Sequence, residues 1–141
     1  MTENSIILIK TIQSAPGEEP YDIEMTCDGE YIYGVDKSVI KYKEPEGSGL
    51  GNTVTTIEID NNSITITRCG DNNSRMFFKE NEIYKGVYEM PFGMFSIHIN
   101  SEKVDVEREN NGAHFLAEYT MELEGVVASR NKIELDVKRK I

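Results

Sequence analysis

The chain has 141 residues, with 25 acidic against 15 basic side chains and a formal net charge of −10. That balance argues against a nucleic-acid-binding module or an anionic membrane surface as partner, since both need a basic patch. Apolar residues make up 38% of the sequence, enough to bury a core, so full disorder is excluded and one domain over residues 1–141 is expected.

Apolar side chains recur with a period of two, the strand period. Residues 5–14 form an Ile- and Leu-rich run with Thr and Lys mixed in, ended by the turn-forming segment Ala15 to Pro20. Residues 21–27 alternate, with Tyr21, Ile23, Met25 and Cys27 on one face. Asp28-Gly29 then reads as a hairpin turn, and the strand pattern resumes at Tyr31 to Gly34. Residues 38–43 are a short strand with Ile40 and Tyr42 on one side, followed by a Gly-rich loop from Glu44 to Gly51. Strands over 53–60 and 63–69 flank the turn Asn61-Asn62, and Gly70 to Ser74 is the next turn. Strands over 75–79 and 83–90 follow, and Pro91 marks a strand start or bulge. Residues 92–100 and 103–109 read as two further strands, and Asn111-Gly112 as a hairpin dipeptide. Residues 132–140 form the last strand.

The segment 113–129 has two readings. Its Ala, Leu, Glu and Met content suits a helix. Strict alternation, with Phe115, Ala117, Tyr119, Met121 and Leu123 on one face, suits a strand after Asn-Gly. About ten short strands at this spacing define a sandwich or a barrel.

The first residues carry no basic segment, and their apolar stretch is only Ile6 to Ile9, too short for a secretory signal. Cys27 and Cys69 are too few for a disulfide framework. A cytoplasmic protein with two free thiols is therefore expected. Asn61-Asn-Ser63 and Asn72-Asn-Ser74 are glycosylation sequons by pattern, and turn composition by context.

Thr53-Val-Thr-Thr-Ile-Glu-Ile-Asp60 followed by Ile64-Thr-Ile-Thr-Arg68-Cys-Gly70 resembles the central hairpin of the bacterial YwiB-like family. Tyr88-Glu-Met-Pro-Phe-Gly93, Ala117-Glu-Tyr119, Tyr42-x-Glu44 and the ending Asn131 to Val137 extend the resemblance over nearly the whole chain. It implies an all-β fold, a closed or nearly closed antiparallel calycin-like barrel related in shape to lipocalins and fatty-acid-binding proteins. It also implies a strand over 113–124. The family has no established biochemical function, so no activity comes with it. The Gly-x-Trp signature of lipocalins is missing, since there is no Trp. The helical lid and C-terminal Arg-x-Tyr of fatty-acid-binding proteins are missing as well, because the Ala15 to Pro20 turn is short and the chain ends Lys138-Arg-Lys-Ile141.

In a barrel one face of each strand meets the lumen. Arg68 shares parity with Ile64 and Ile66, and Glu44 with Ile40 and Tyr42. An inward Arg is costly unless paired. Two readings follow. In one, Arg68 grips an anionic head group, with Tyr42, Glu44, Tyr88 and Tyr119 around it, because guanidinium forks suit carboxylate and phosphate. In the other, Arg68 and Glu44 form a structural ion pair. Arg108 and Arg139 also share parity with apolar neighbours, but lie near strand ends and are expected to reach water.

His98 and His114 fall on outward faces, and with Cys27 and Cys69 they match no zinc spacing, so neither a metal nor another cofactor is expected. Asp60-Asn-Asn and Asp71-Asn-Asn lack the spacing of a calcium loop. The Gly47 to Gly51 segment lacks the helix and Lys of a phosphate loop, and no Gly-x-Ser-x-Gly occurs. No acid–base or nucleophile constellation forms, which argues against an enzyme. Two functions stay open. One is a binding module for a small, partly apolar anionic ligand in the lumen. The other is a packed barrel that meets a protein partner or a second copy of itself as a homodimer.

Overall fold

A computed structural model describes residues 3–90 and 93–141. Ten strands follow one another: β1 (Ser5–Ser14), β2 (Tyr21–Ile32), β3 (Ser38–Lys43), β4 (Thr53–Ile59) and β5 (Ser63–Gly70), then β6 (Asn73–Lys79), β7 (Ile83–Met90), β8 (Gly93–Glu109), β9 (Gly112–Leu123) and β10 (Val126–Arg139). Each pairs antiparallel with its sequence neighbours, and β10 returns to β1, so the sheet closes as an up-and-down barrel. Pairing every strand with the next in the chain leaves no free sheet edge.

Alternation sets the inside. Ile7 and Ile9 on β1, Ile57 and Ile59 on β4, Ile64 and Ile66 on β5, and Ile97 and Ile99 on β8 are all buried. β-branched residues suit this because their stiff side chains pack well on a pleated surface. Residues 113–123 are strand, and Phe115 and Ala117 on its inward face are fully buried.

The structure corrects three boundaries. Asp28-Gly29 is not a turn: β2 runs straight through, with Asp28 opposite Ile6 and Gly29 opposite Ser5. Glycine stands there for clearance, because a Cβ would lie 2.4 Å from Ile7 Cδ1 and 2.8 Å from the Lys41 carbonyl oxygen. The expected break between Asn100 and Lys103 is a β-bulge within β8, between Ser101 and Lys103. Its backbone stays paired, since Asn81 N–H donates to Ser101 O and Ser101 N–H donates to Glu82 O. The last strand starts earlier than expected, after a turn in which Glu124 and Gly125 have φ of 51° and 82°. The call on Pro91 lies outside the described residues.

One end of the barrel is packed shut. Tyr31, fully buried, donates its hydroxyl to Glu109 O at 2.7 Å. Arg108 is half-buried at this end, and its guanidinium is engaged as well. Its Nη1 donates to Gly34 O at 2.6 Å, its Nη2 to Val35 O at 2.7 Å and its Nε to Asn61 Oδ1 at 3.1 Å. It thereby ties the β2–β3 and β4–β5 turns together. Arg139 lies over the Tyr31 ring at 5.4 Å and donates to Asn110 O.

The wall is thin at two seams. β2 and β3 share three ladder positions, Glu30↔Lys41 to Ile32↔Val39. β6 and β7 share two, Asn73↔Glu89 and Ser74↔Tyr88. The seams divide the ring into a short segment, β3 to β6, and a longer one, β7 to β10 continuing into β1 and β2.

Candidate functional site

Toward the other end the lumen is hollow. A cavity of about 430 Å³ is lined by residues from both segments of the wall. Its apolar surface comes from Ile66, Met76, Phe95, Met121, Leu123 and Ile133. Its polar surface falls in two places. Arg68, Tyr88 and Tyr119 form one, and Thr11, Gln13 and Asn131 form the other.

Register explains the first group. Tyr42 pairs with Thr55, Thr55 with Arg68, Arg68 with Ser74, Ser74 with Tyr88 and Tyr88 with Phe95. One row of inward positions thus runs across β3 to β8, with Arg68 near its middle. Five residues were expected to converge. Arg68, Tyr88 and Tyr119 reach the cavity, while Tyr42 and Glu44 lie behind Arg68, with Tyr42 at 3% and Glu44 at 6% exposure.

Glu44 stands beside Arg68 as its counter-ion. Arg68 Nε lies 3.9 Å from Glu44 Oε2, an ion pair but too long for a charge-assisted hydrogen bond. Glu44 Oε2 accepts a short hydrogen bond from Thr55 Oγ1. Arg68 Nε and the neighbouring Ser74 Oγ are buried without a hydrogen-bond partner among the described residues. Such orphans are uncommon in folded proteins and each is costly.

Two of the phenols, Tyr42 and Tyr119, stay protonated. Burial, and then the Glu44 charge, push the Tyr42 hydroxyl well above the usual tyrosine range. Burial raises Tyr119 too, with Arg68 pulling the other way. Tyr119 packs its ring against Phe78 at 4.7 Å. Tyr88 and Tyr119 make no hydrogen bond within the described protein, which leaves both hydroxyls able to donate. Cys27 is held as a neutral thiol: burial and then the charges of Glu44, Asp28 and Glu3 push it up to about 11.

Sequence reasoning missed the second polar group, although the signal was there. Asn131 shares parity with Ile133, Leu135 and Val137, all buried on β10. Gln13 faces it across the β1–β10 ladder. Thr55, which holds Glu44, was also missed, because a Thr-rich strand gives no reason to single out one hydroxyl.

A larger cleft, about 680 Å³, lies around the β8–β9 turn and the C-terminal residues. Three of its charged groups are already engaged. Arg108 and Arg139 serve backbone carbonyls, and His114 on the outer face meets Asp136 at 2.8 Å and Glu134 at 3.4 Å. Among the described residues no cluster of His, Cys, Asp and Glu could hold a metal ion.

The fold and the lumen define a closed ten-stranded up-and-down β-barrel, half packed and half hollow. Residues 7–135 match the family described as Domain of unknown function (DUF1934), and the chain belongs to it. The crystal structure of the YwiB protein from Bacillus subtilis superposes with a TM-score of 0.84 over 97% of this chain and 92% of that one, at 16% identity. The YwiB-like resemblance read from the sequence therefore holds, and the barrel fold with it. No curated protein sequence matches the chain.

Proposed function

We propose that the barrel is a binding module for a small, partly apolar anion held in its lumen. The observation that carries this reading is Arg68: an inward guanidinium on the wall of a 430 Å³ cavity, paired with Glu44 only at 3.9 Å and without a hydrogen bond among the described residues. Sites for small ligands are of this size and kind, mostly apolar with a few converging polar groups. Glu44 offsets the Arg68 charge from behind, and the hydroxyls of Tyr88 and Tyr119 add two donors. A carboxylate or phosphate head would take the fork and the phenols, and its apolar part would cover Met76, Met121 and Ile133. The packed end of the barrel is the floor.

Thermal unfolding with octanoate and with octan-1-ol tests it, since the two share a tail and differ in charge. Octanoate stabilises the wild type more than the alcohol does, and Arg68→Met removes the difference. Equal effects of the two compounds on the wild type would refute the reading.

A second reading has its own support. Ile83 and Val87 on the outer face of β7 and Met94 on β8 are exposed by 62%, 50% and 65%. This apolar strip beside the thin β6–β7 seam suits contact with a second copy. Sedimentation of the wild type and of Val87→Lys measures it: a monomer at micromolar concentration contradicts this reading and leaves the first untouched.

A further inference from the structure

The two polar patches of the cavity face each other. Ten strands form the ring, and β5 and β10 lie five strands apart in either direction. Arg68 on β5 and Asn131 on β10 therefore stand on opposite walls. Both belong to the half of their strand that leads to the open end, Arg68 two residues before the end of β5 and Asn131 in the first half of β10. Apolar side chains, among them Ile66, Met121 and Ile133, occupy the surface between them.

The second patch is neutral and only half used. Asn131 Nδ2 donates to Ser129 Oγ at 2.9 Å, and no hydrogen bond within the described protein takes its Oδ1. Gln13 Oε1 accepts from the exposed Tyr21 hydroxyl at 3.0 Å, and among the described residues nothing takes its Nε2. Gln13 and Asn131 are ladder partners, so a free amide donor and a free amide acceptor sit side by side. Thr11, next inward on β1, adds a hydroxyl to the same wall. A wall that served only an alkyl tail would gain nothing from three polar side chains, since burying them against a tail costs their hydration.

We propose that the ligand is two-headed: an acid at one end, and at the other an uncharged group that both donates and accepts a hydrogen bond, such as a hydroxyl or a carboxamide. This rests on the lumen-binding reading above and names its ligand class. Arg68 takes the acid, and Gln13 with Asn131 takes the neutral head. A second charge at that end is disfavoured, because the Gln13–Asn131–Thr11 wall offers no counter-ion.

Calorimetric titration with straight-chain probes tests the assignment. Hexanoate, octanoate and decanoate are each compared with the acid carrying a hydroxyl on the last carbon. At least one hydroxy acid is expected to bind roughly tenfold tighter than its parent, the gain of one to two uncharged hydrogen bonds. Gln13→Met and Asn131→Leu abolish that gain, so that each variant binds the hydroxy acid no tighter than its parent, and an unchanged cooperative thermal transition shows that the variants are folded. Parent acids that bind through Arg68 with no gain from any hydroxyl would overturn the two-headed assignment alone. A wild type that binds neither series would overturn the lumen reading and this inference together.

Discussion

Replacing Arg68 leaves Glu44 as a buried carboxylate whose remaining partners are the Thr55 and Tyr42 hydroxyls, its side chain only 2% exposed. Two unit charges 3.9 Å apart attract by about 4 kcal/mol at an effective dielectric near 20. Part of that is offset, because the guanidinium no longer has to be desolvated, and Arg68 keeps 16% exposure toward the cavity. A net loss of about 2–3 kcal/mol is expected for Arg68→Met, and about 1 kcal/mol more for Arg68→Ala, which also loses the methylene packing. Glu44→Gln keeps the Thr55 contact and costs about 1–2 kcal/mol. The double variant Arg68→Met with Glu44→Gln buries no net charge and should recover about 1.5 kcal/mol or more relative to the sum of the singles. Urea unfolding of the four proteins, with unchanged m-values, gives the coupling energy directly. Additivity within about 0.5 kcal/mol would show that the two charges do not interact and would remove the counter-ion role of Glu44.

Gly29→Ala places a methyl 2.4 Å from Ile7 Cδ1 and 3.0 Å from Tyr42 Cβ, so overpacking of about 2–3 kcal/mol is expected in the same denaturation assay. Alanine at Gly125, where nothing lies within 4 Å but φ is +82°, costs only the backbone strain, about 1 kcal/mol. Alkylation by iodoacetamide at pH 8, followed by peptide mass, labels exposed Cys69 first; Cys27, with a pKa near 11, reacts at least tenfold more slowly. At Asp60 burial raises the pKa, but hydrogen bonds from Asn62 N–H, Ser63 Oγ and Ser63 N–H, with the Arg108 charge, outweigh it and hold the carboxyl below 3.8. A folded value below the unfolded one means that its stabilisation is present above about pH 4 and is lost as pH falls through the folded value. Asp60→Asn should therefore flatten the acid limb of stability below pH 4, and an unchanged acid limb would show that the turn hydrogen bonds contribute nothing there.

The strand period made most of the barrel legible. Ile64 and Ile66 placed Arg68 inside, and Ile40 and Tyr42 placed Glu44 beside it, because one buried face fixes parity along a whole strand. Failures came where a local signal competes with packing. Asp28-Gly29 reads as a turn in isolation, yet its glycine makes room for Ile7 and Tyr42, which come from other strands. Ser101 lies in a polar stretch that looks like a break, and the carbonyl of Glu82 keeps it in the sheet. Glu124-Gly125 was hidden among helix formers, with only the glycine to mark it. The cavity itself was not legible, because hollow and packed lumens share one alternation. What separates them is the spread of the wall between β6 and β7 and the side-chain volume meeting across the ring, both set by residues far apart in sequence. Arg108 looked like Arg68 by parity, but its distant partners, the carbonyls of Gly34 and Val35, make it a staple between turns.

Native mass spectrometry of the protein purified gently from the cells that make it, beside its denatured mass, tests the lumen claim most directly. The account predicts an excess mass that disappears on denaturation, that belongs to an acid carrying a second, uncharged polar group, and that is lost in Arg68→Met. A bare polypeptide mass for the wild type, together with no stabilisation by octanoate over octan-1-ol, would contradict it.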